Sequence, residues 1–177
     1  MKLYYTTTAK VDAPQQKPTQ SLGGFKSSSP IPNSAFGNLF PDISLLTIEK
    51  KLPEYIGLIL INERPNPVSE VKIWINNAVE NICNYKIAVV ELNSRNEFET
   101  LPSGNSKPLF AEFYTANNET DAIIIGEMVI NEQYGLWLER SINADSGSKD
   151  CSTLEISSTQ IEEMDIKIAF KDDIITE

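Results

Sequence analysis

Residues 54–76 read EYIGLILINERPNPVSEVKIWIN. Two apolar segments rich in β-branched residues flank a polar turn carrying Pro65, Asn66 and Pro67, the sequence form of a β-hairpin with a medium-length loop. In the second segment Val71, Ile73 and Ile75 fall on one face, and Lys72, Trp74 and Asn76 on the other. The first, Ile56 to Ile61, is apolar on both faces, as expected of a strand buried in the middle of a layered sheet.

Downstream of this pair the chain continues as short apolar runs at regular intervals. The pattern predicts strands at Leu45–Lys50, Tyr55–Asn62, Glu70–Ile75, Tyr85–Leu92, Leu109–Tyr114, Ala122–Val129, Tyr134–Ile142, Thr153–Ser157 and Met164–Phe170. Turn-formers separate them: Asn76-Asn77, Asn93-Ser94, Pro102 to Asn105, Asn117-Asn118, Asn131-Glu132 and Asp145 to Ser148. Such spacing predicts an all-β fold, an antiparallel β-sandwich of immunoglobulin-like or jelly-roll type, over residues 44–177.

Upstream the text is different. Lys2 to Thr8 has β character. Residues 9–43 hold Pro14, Pro18, Pro30, Pro32 and Pro41, half of the 10 prolines, and no period of 2.0 or 3.6 survives there. Residues 1–43 are therefore expected to form a long extended N-terminal arm. Its spaced apolar residues suit docking into a neighbour's grooves. The candidate partner-binding residues are Leu3, Tyr4, Tyr5, Leu22, Phe25, Phe36, Leu39 and Phe40.

The net charge of −10 is unevenly spread. Residues 1–41 carry Lys2, Lys10, Lys17 and Lys26 against Asp12, a net of +3, which leaves −13 for the rest. A domain this acidic argues against nucleic-acid binding, which needs clustered Lys and Arg. No apolar run approaches the roughly 20 residues of a membrane helix, and the opening residues lack a signal-peptide core, so neither a membrane nor export is expected. Cys83 and Cys151 are too few for a disulfide framework and are not expected to pair.

Chemistry is hard to find. The chain has no histidine, which removes Ser-His-Asp and Cys-His mechanisms and the usual zinc sets. No phosphate-binding glycine loop occurs, and Asp145 to Asp150 lacks the order of a calcium loop. Glu97, Glu99, Glu112 and the Glu162-Glu163 pair read as solvated surface rather than a glycosidase pair. No catalytic residue, cofactor or metal is expected. Trp74 and Trp137 read as core, with a glycan-binding platform as the alternative.

Several short segments resemble a family of virion structural proteins of tailed bacteriophages, the crAss-like and related phages of Bacteroidetes hosts. They are Lys2-Leu3-Tyr4-Tyr5-Thr6, Ser21-Leu22-Gly23-Gly24-Phe25, Ser27-Ser28, Pro32-Asn33, Asn38-Leu39-Phe40 with Ile43-Ser44, Tyr55 to Asn62, Lys72-Ile73-Trp74-Ile75, and Gly135-Leu136-Trp137-Leu138 with Arg140. Glu139 stands where the resemblance leads one to expect a basic residue. The resemblance implies a non-enzymatic particle component made in the host cytoplasm, of head–tail connector, ring or collar type around the portal and neck. Its implied partners are portal, neighbouring ring or tail proteins and copies of itself in a cyclic homo-oligomer. In such a ring Lys2–Thr8 would add to a neighbouring sheet. The alternative is a capsid decoration or fibre-base module that contacts host glycans.

Overall fold

The computed structural model describes residues 1–32, 39–40, 52–77, 83–142 and 164–172 of the 177-residue chain. These residues form nine strands: β1 (Lys2–Thr7), β2 (Gly23–Pro30), β3 (Glu54–Ile61), β4 (Val68–Asn77), β5 (Cys83–Glu91), β6 (Glu97–Thr100), β7 (Ile123–Met128), β8 (Gln133–Ile142) and β9 (Met164–Asp172). All their pairings are antiparallel. Six make one sheet in the order β5-β8-β3-β1-β2-β6, and three make a second in the order β7-β4-β9. The two sheets face each other across a shared core, so the fold is an all-β antiparallel sandwich.

β3 is the spine of this arrangement. It pairs with β1 on one edge and β8 on the other, and its side chains are buried on both faces from Tyr55 to Ile61. Ile56, Leu58 and Leu60 point toward the smaller sheet and meet Val68, Val71, Ile73 and Ile75 of β4. Tyr55 and Ile59 point the other way, to a second cluster with Ala88, Phe98, Leu101 and Trp137. Continuous apolar sequence in this strand thus serves two cores, while β4 buries one face only.

The hairpin expected from residues 54–76 does not form. β3 and β4 belong to different sheets, because both edges of β3 are already hydrogen-bonded to other strands. The loop carries the chain across the core instead, and Asn62, fully buried, pins it. Its backbone N–H donates to Glu132 at 3.0 Å, and its carbonyl accepts from Asn131 at 2.8 Å. Its side-chain amide is shared among the carbonyls of Met128 (3.0 Å), Val129 (3.2 Å) and Asn66 (3.2 Å), while its Oδ1 accepts from the Arg64 N–H at 3.1 Å. One side chain ties the crossing loop to the β7–β8 turn.

For the described residues among 1–43, the expectation of an extended arm does not hold. β1 and β2 occupy inner positions of the large sheet, β1 between β3 and β2, and β2 between β1 and β6. Lys2–Thr8, expected to add to a neighbour's sheet, supplies β1 to its own. The physical reason is a buried hydroxyl network that the sequence pattern does not display. Ser21 Oγ accepts from the Thr6 N–H at 2.8 Å and donates to the Gly57 carbonyl at 2.6 Å. The Thr6 hydroxyl accepts from the Gly23 N–H at 2.9 Å. Backbone polar groups of a Gly/Ser-rich segment are thereby satisfied in the interior rather than by water.

Gly23 and Gly24 then take φ values of +88° and +89°, which turn the chain into β2. A Cβ on Gly23 would lie 1.9 Å from the Glu99 carbonyl oxygen, so only glycine fits there. The large sheet curls as a result. β6 and β8 stand four strands apart in its order, about 19 Å if the sheet were flat, yet the Phe98 and Trp137 rings meet edge-on at 5.1 Å.

The expected strand at Leu109–Tyr114 is absent except for one bridge, Ile87↔Tyr114. Continuing that register would set Glu112 opposite Val89 and Phe110 opposite Glu91. Instead the Glu99 carboxylate accepts from the N–H groups of Leu109 (2.8 Å) and Phe110 (3.3 Å). The Phe110 N–H, which the continued ladder would turn toward Glu91, goes to a carboxylate instead, while Ala111 and Phe113 stay packed on the Trp137 cluster. The expected strands at Leu45–Lys50 and Thr153–Ser157 lie outside the described residues.

Candidate interaction surfaces

The residues expected to bind a partner mostly face inward. Tyr4 (8% exposed), Tyr5 (2%), Leu39 (5%) and Phe40 (8%) are buried. Tyr5, Leu39 and Phe40 belong to the core between the sheets, with Leu3 packed against it. Leu22 packs against the Trp137 cluster, and Phe25 is half-buried on β2. Phe36 lies outside the described residues. Apolar residues spaced along an irregular segment read equally as anchors for a neighbour or for the chain's own core, and the second holds for Leu3, Tyr5, Leu22, Leu39 and Phe40.

Trp137 is 1% exposed, which leaves no ring face for a sugar to stack on. Trp74 is half-buried and packs against the inter-sheet core. Among the described residues no group of three or more His, Cys, Asp or Glu is placed to hold a metal ion, and no helix is long and apolar enough to cross a membrane. Cys83 opens β5, and Cys151 lies outside the described residues.

Ion pairs explain several charges as structural. Glu139 is buried beside Lys86 Nζ at 3.6 Å, and burial, followed by the charge of Glu139, holds the Tyr55 hydroxyl far above its ordinary pKa. The Glu54 carboxylate accepts from Arg140 Nε at 2.9 Å, and the Arg140 guanidinium lies over the Phe40 ring, 4.7 Å from its centroid. Tyr55 and Lys86 thus converge on the Glu139 carboxylate.

What reaches solvent is more telling. Leu109 (80% exposed) and Phe110 (84%) form an apolar pair on the segment held by Glu99. Ile124 (72%) lies on β7, one of the two edge strands of the smaller sheet among the described residues, and Val129 (51%) and Ile130 (47%) follow in the adjoining turn. Side chains this apolar are ordinary singly, but adjacent pairs and edge strands are where proteins associate. The sequence hid Leu109 and Phe110 because they resemble the start of a strand. Only their attachment to Glu99 turns them outward.

Beside that pair a groove of 670 Å³ opens between β5, β6 and residues 110–112. Its floor is Phe98 and Trp137, and its rim carries Glu91, Glu97, Glu99 and Glu112. Glu112 accepts a hydrogen bond from the Tyr114 hydroxyl, which raises the Tyr114 pKa. Glu97 pairs with Arg95 at 2.8 Å at the tip of the β5–β6 turn. The geometry suits binding of an extended or apolar ligand.

Compared with known families, curated proteins and solved structures, the chain matches none of them.

Proposed function

We propose that this protein is a non-enzymatic structural subunit of a bacteriophage virion, a portal- or neck-associated ring or collar component. It joins neighbours through exposed edges of its sandwich rather than through its N-terminal residues. The observation that carries the assembly reading is the pair of separate apolar exposures, Leu109-Phe110 on one element and Ile124 on edge strand β7. Two different patches on one subunit suit head-to-tail contacts, which close into rings when the rotation permits. The virion assignment is supported by the sequence resemblance, and the acidic domain suits a part that holds position near a genome without binding it.

The test combines native mass spectrometry of the purified chain with its detection in purified particles. A discrete cyclic oligomer that Ile124→Lys dissociates, together with ring-like copy number in particles, is the expected result. A monomer at every concentration, absent from particles, overturns the proposal. For the glycan-binding alternative the buried Trp137 offers no support.

A further inference from the structure

We infer that the groove lined by β5, β6, Phe110 and Glu112 is a docking site for an extended, positively charged polypeptide segment of another protein, added as a strand to the outer edge of β5. The site stands on its own geometry and does not depend on the virion assignment.

Backbone direction is the first argument. The Ile87 N–H donates to the Tyr114 carbonyl at 3.0 Å, and the Ile87 carbonyl accepts from the Tyr114 N–H at 2.9 Å. By the two-residue period of a strand, Val89 and Glu91 turn their N–H and C=O groups to the same side. Val89 and Glu91 both line the groove. Glu99 holds the N–H groups of Leu109 and Phe110, and among the described residues the ladder goes no further than the Ile87–Tyr114 pair. An incoming strand would resume it.

Charge and shape name the occupant. Glu91, Glu97, Glu99 and Glu112 line the groove with no Lys or Arg among the described lining residues, Arg95 pairing with Glu97 from the adjoining turn. Below them lie the apolar Phe98 and Trp137, and Phe110 stands beside the opening, 84% exposed. A segment alternating basic and apolar residues would set one face against Val90, Phe98 and the exposed Phe110 and the other against the carboxylates. The volume of 670 Å³ falls within the range of ligand-binding clefts.

The probe is a synthetic peptide of sequence KVKFKVK with a fluorescent label, compared with EVEFEVE, which keeps the apolar pattern and reverses the charge. Fluorescence anisotropy with the full chain should show saturable binding of the first and none of the second. Affinity should fall about tenfold in the Glu91→Gln, Glu112→Gln double variant, both residues being solvent-exposed. Amide NMR on the unaltered protein should place the largest shifts at Val89, Glu91 and Phe98. Equal binding of both peptides, affinity unchanged in the double variant, or shifts spread over the whole acidic surface would overturn the inference. So would absence of binding to the unaltered chain, or closure of the groove by a second copy.

Discussion

The hydroxyl of Tyr4 donates to Oε1 of Glu63 at 2.6 Å, joining residues 59 positions apart. Lys2 Nζ reaches the other carboxylate oxygen at 2.9 Å, and Lys26 Nζ sits 4.6 Å from the centroid of the Tyr4 ring. β1 is thereby stapled to the crossing loop that leads from one sheet to the other. The hydrogen bond lowers the Glu63 pKa and raises that of Tyr4 to about 12.

Tyr4→Phe removes that bond and leaves the ring in place. A loss of about 1 kcal/mol is expected, the charged acceptor raising the value and its partial exposure reducing it. Urea denaturation at neutral pH measures it, and the midpoint should fall with no change in slope.

The same pair sets two limbs of the pH profile. Glu63 has a depressed folded pKa, so its contribution is present above the unfolded value of 4.5 and is lost as pH falls through the folded pKa. Tyr4 has a raised pKa, so its contribution is present below 10.0 and is lost as pH rises toward about 12. Burial raises Tyr5, Tyr55 and Tyr134 as well, and steepens the alkaline limb. Denaturant midpoints measured across pH should decline at both ends, and Tyr4→Phe should flatten both declines.

Gly23 and Gly126 separate steric collision from backbone strain. Both have positive φ, +88° and +95°. A Cβ at Gly23 meets the Glu99 carbonyl, whereas one at Gly126 meets none of the described residues within 4 Å. Gly126→Ala should cost about 1 kcal/mol from the left-handed backbone alone. Gly23→Ala should cost more than about 3 kcal/mol or prevent folding, because β2 and β6 must move apart. Thermal melts of the two variants decide the matter.

Breaking the Glu54–Arg140 pair should be severe. Arg140 is 6% exposed, so Glu54→Gln strands a buried cation and is expected to cost roughly 3 kcal/mol. Replacing both residues, Glu54→Leu with Arg140→Met, should cost less than Glu54→Gln alone. A double-mutant cycle in urea tests that ordering.

Asn62→Ala leaves the buried carbonyl of Met128 and the part-buried one of Val129 without the side-chain amide that binds them. A loss of about 2–3 kcal/mol is expected. Amide hydrogen exchange should quicken first in the β7–β8 turn.

Much of the chain's character is local, and local character is legible in residue order. Alternation at Val71, Ile73 and Ile75 identifies β4 and its buried face, because side chains in a strand must alternate. Apolar residues on both faces of Ile56–Ile61 mark β3 as central, because such a strand has no side fit for water. Asparagines announce turns: Asn93 Oδ1 accepts from the Arg95 N–H at 2.8 Å, and Asn118 Oδ1 from the Thr120 N–H at 2.9 Å. Lack of histidine bounds the chemistry from composition alone.

Partnership between strands is not local, and residue order does not contain it. A Gly/Ser-rich stretch became an inner strand because Ser21, Thr6 and Gly57 meet across 51 residues. An apparent hairpin became a crossing between sheets because β1 and β8 claim both edges of β3. Tyr5, Leu39 and Phe40, which looked like anchors for a neighbour, turned into core, while Leu109 and Phe110 face outward with their amides held by one carboxylate. Each of these outcomes depends on which distant group satisfies a backbone hydrogen bond, and only the folded chain decides that.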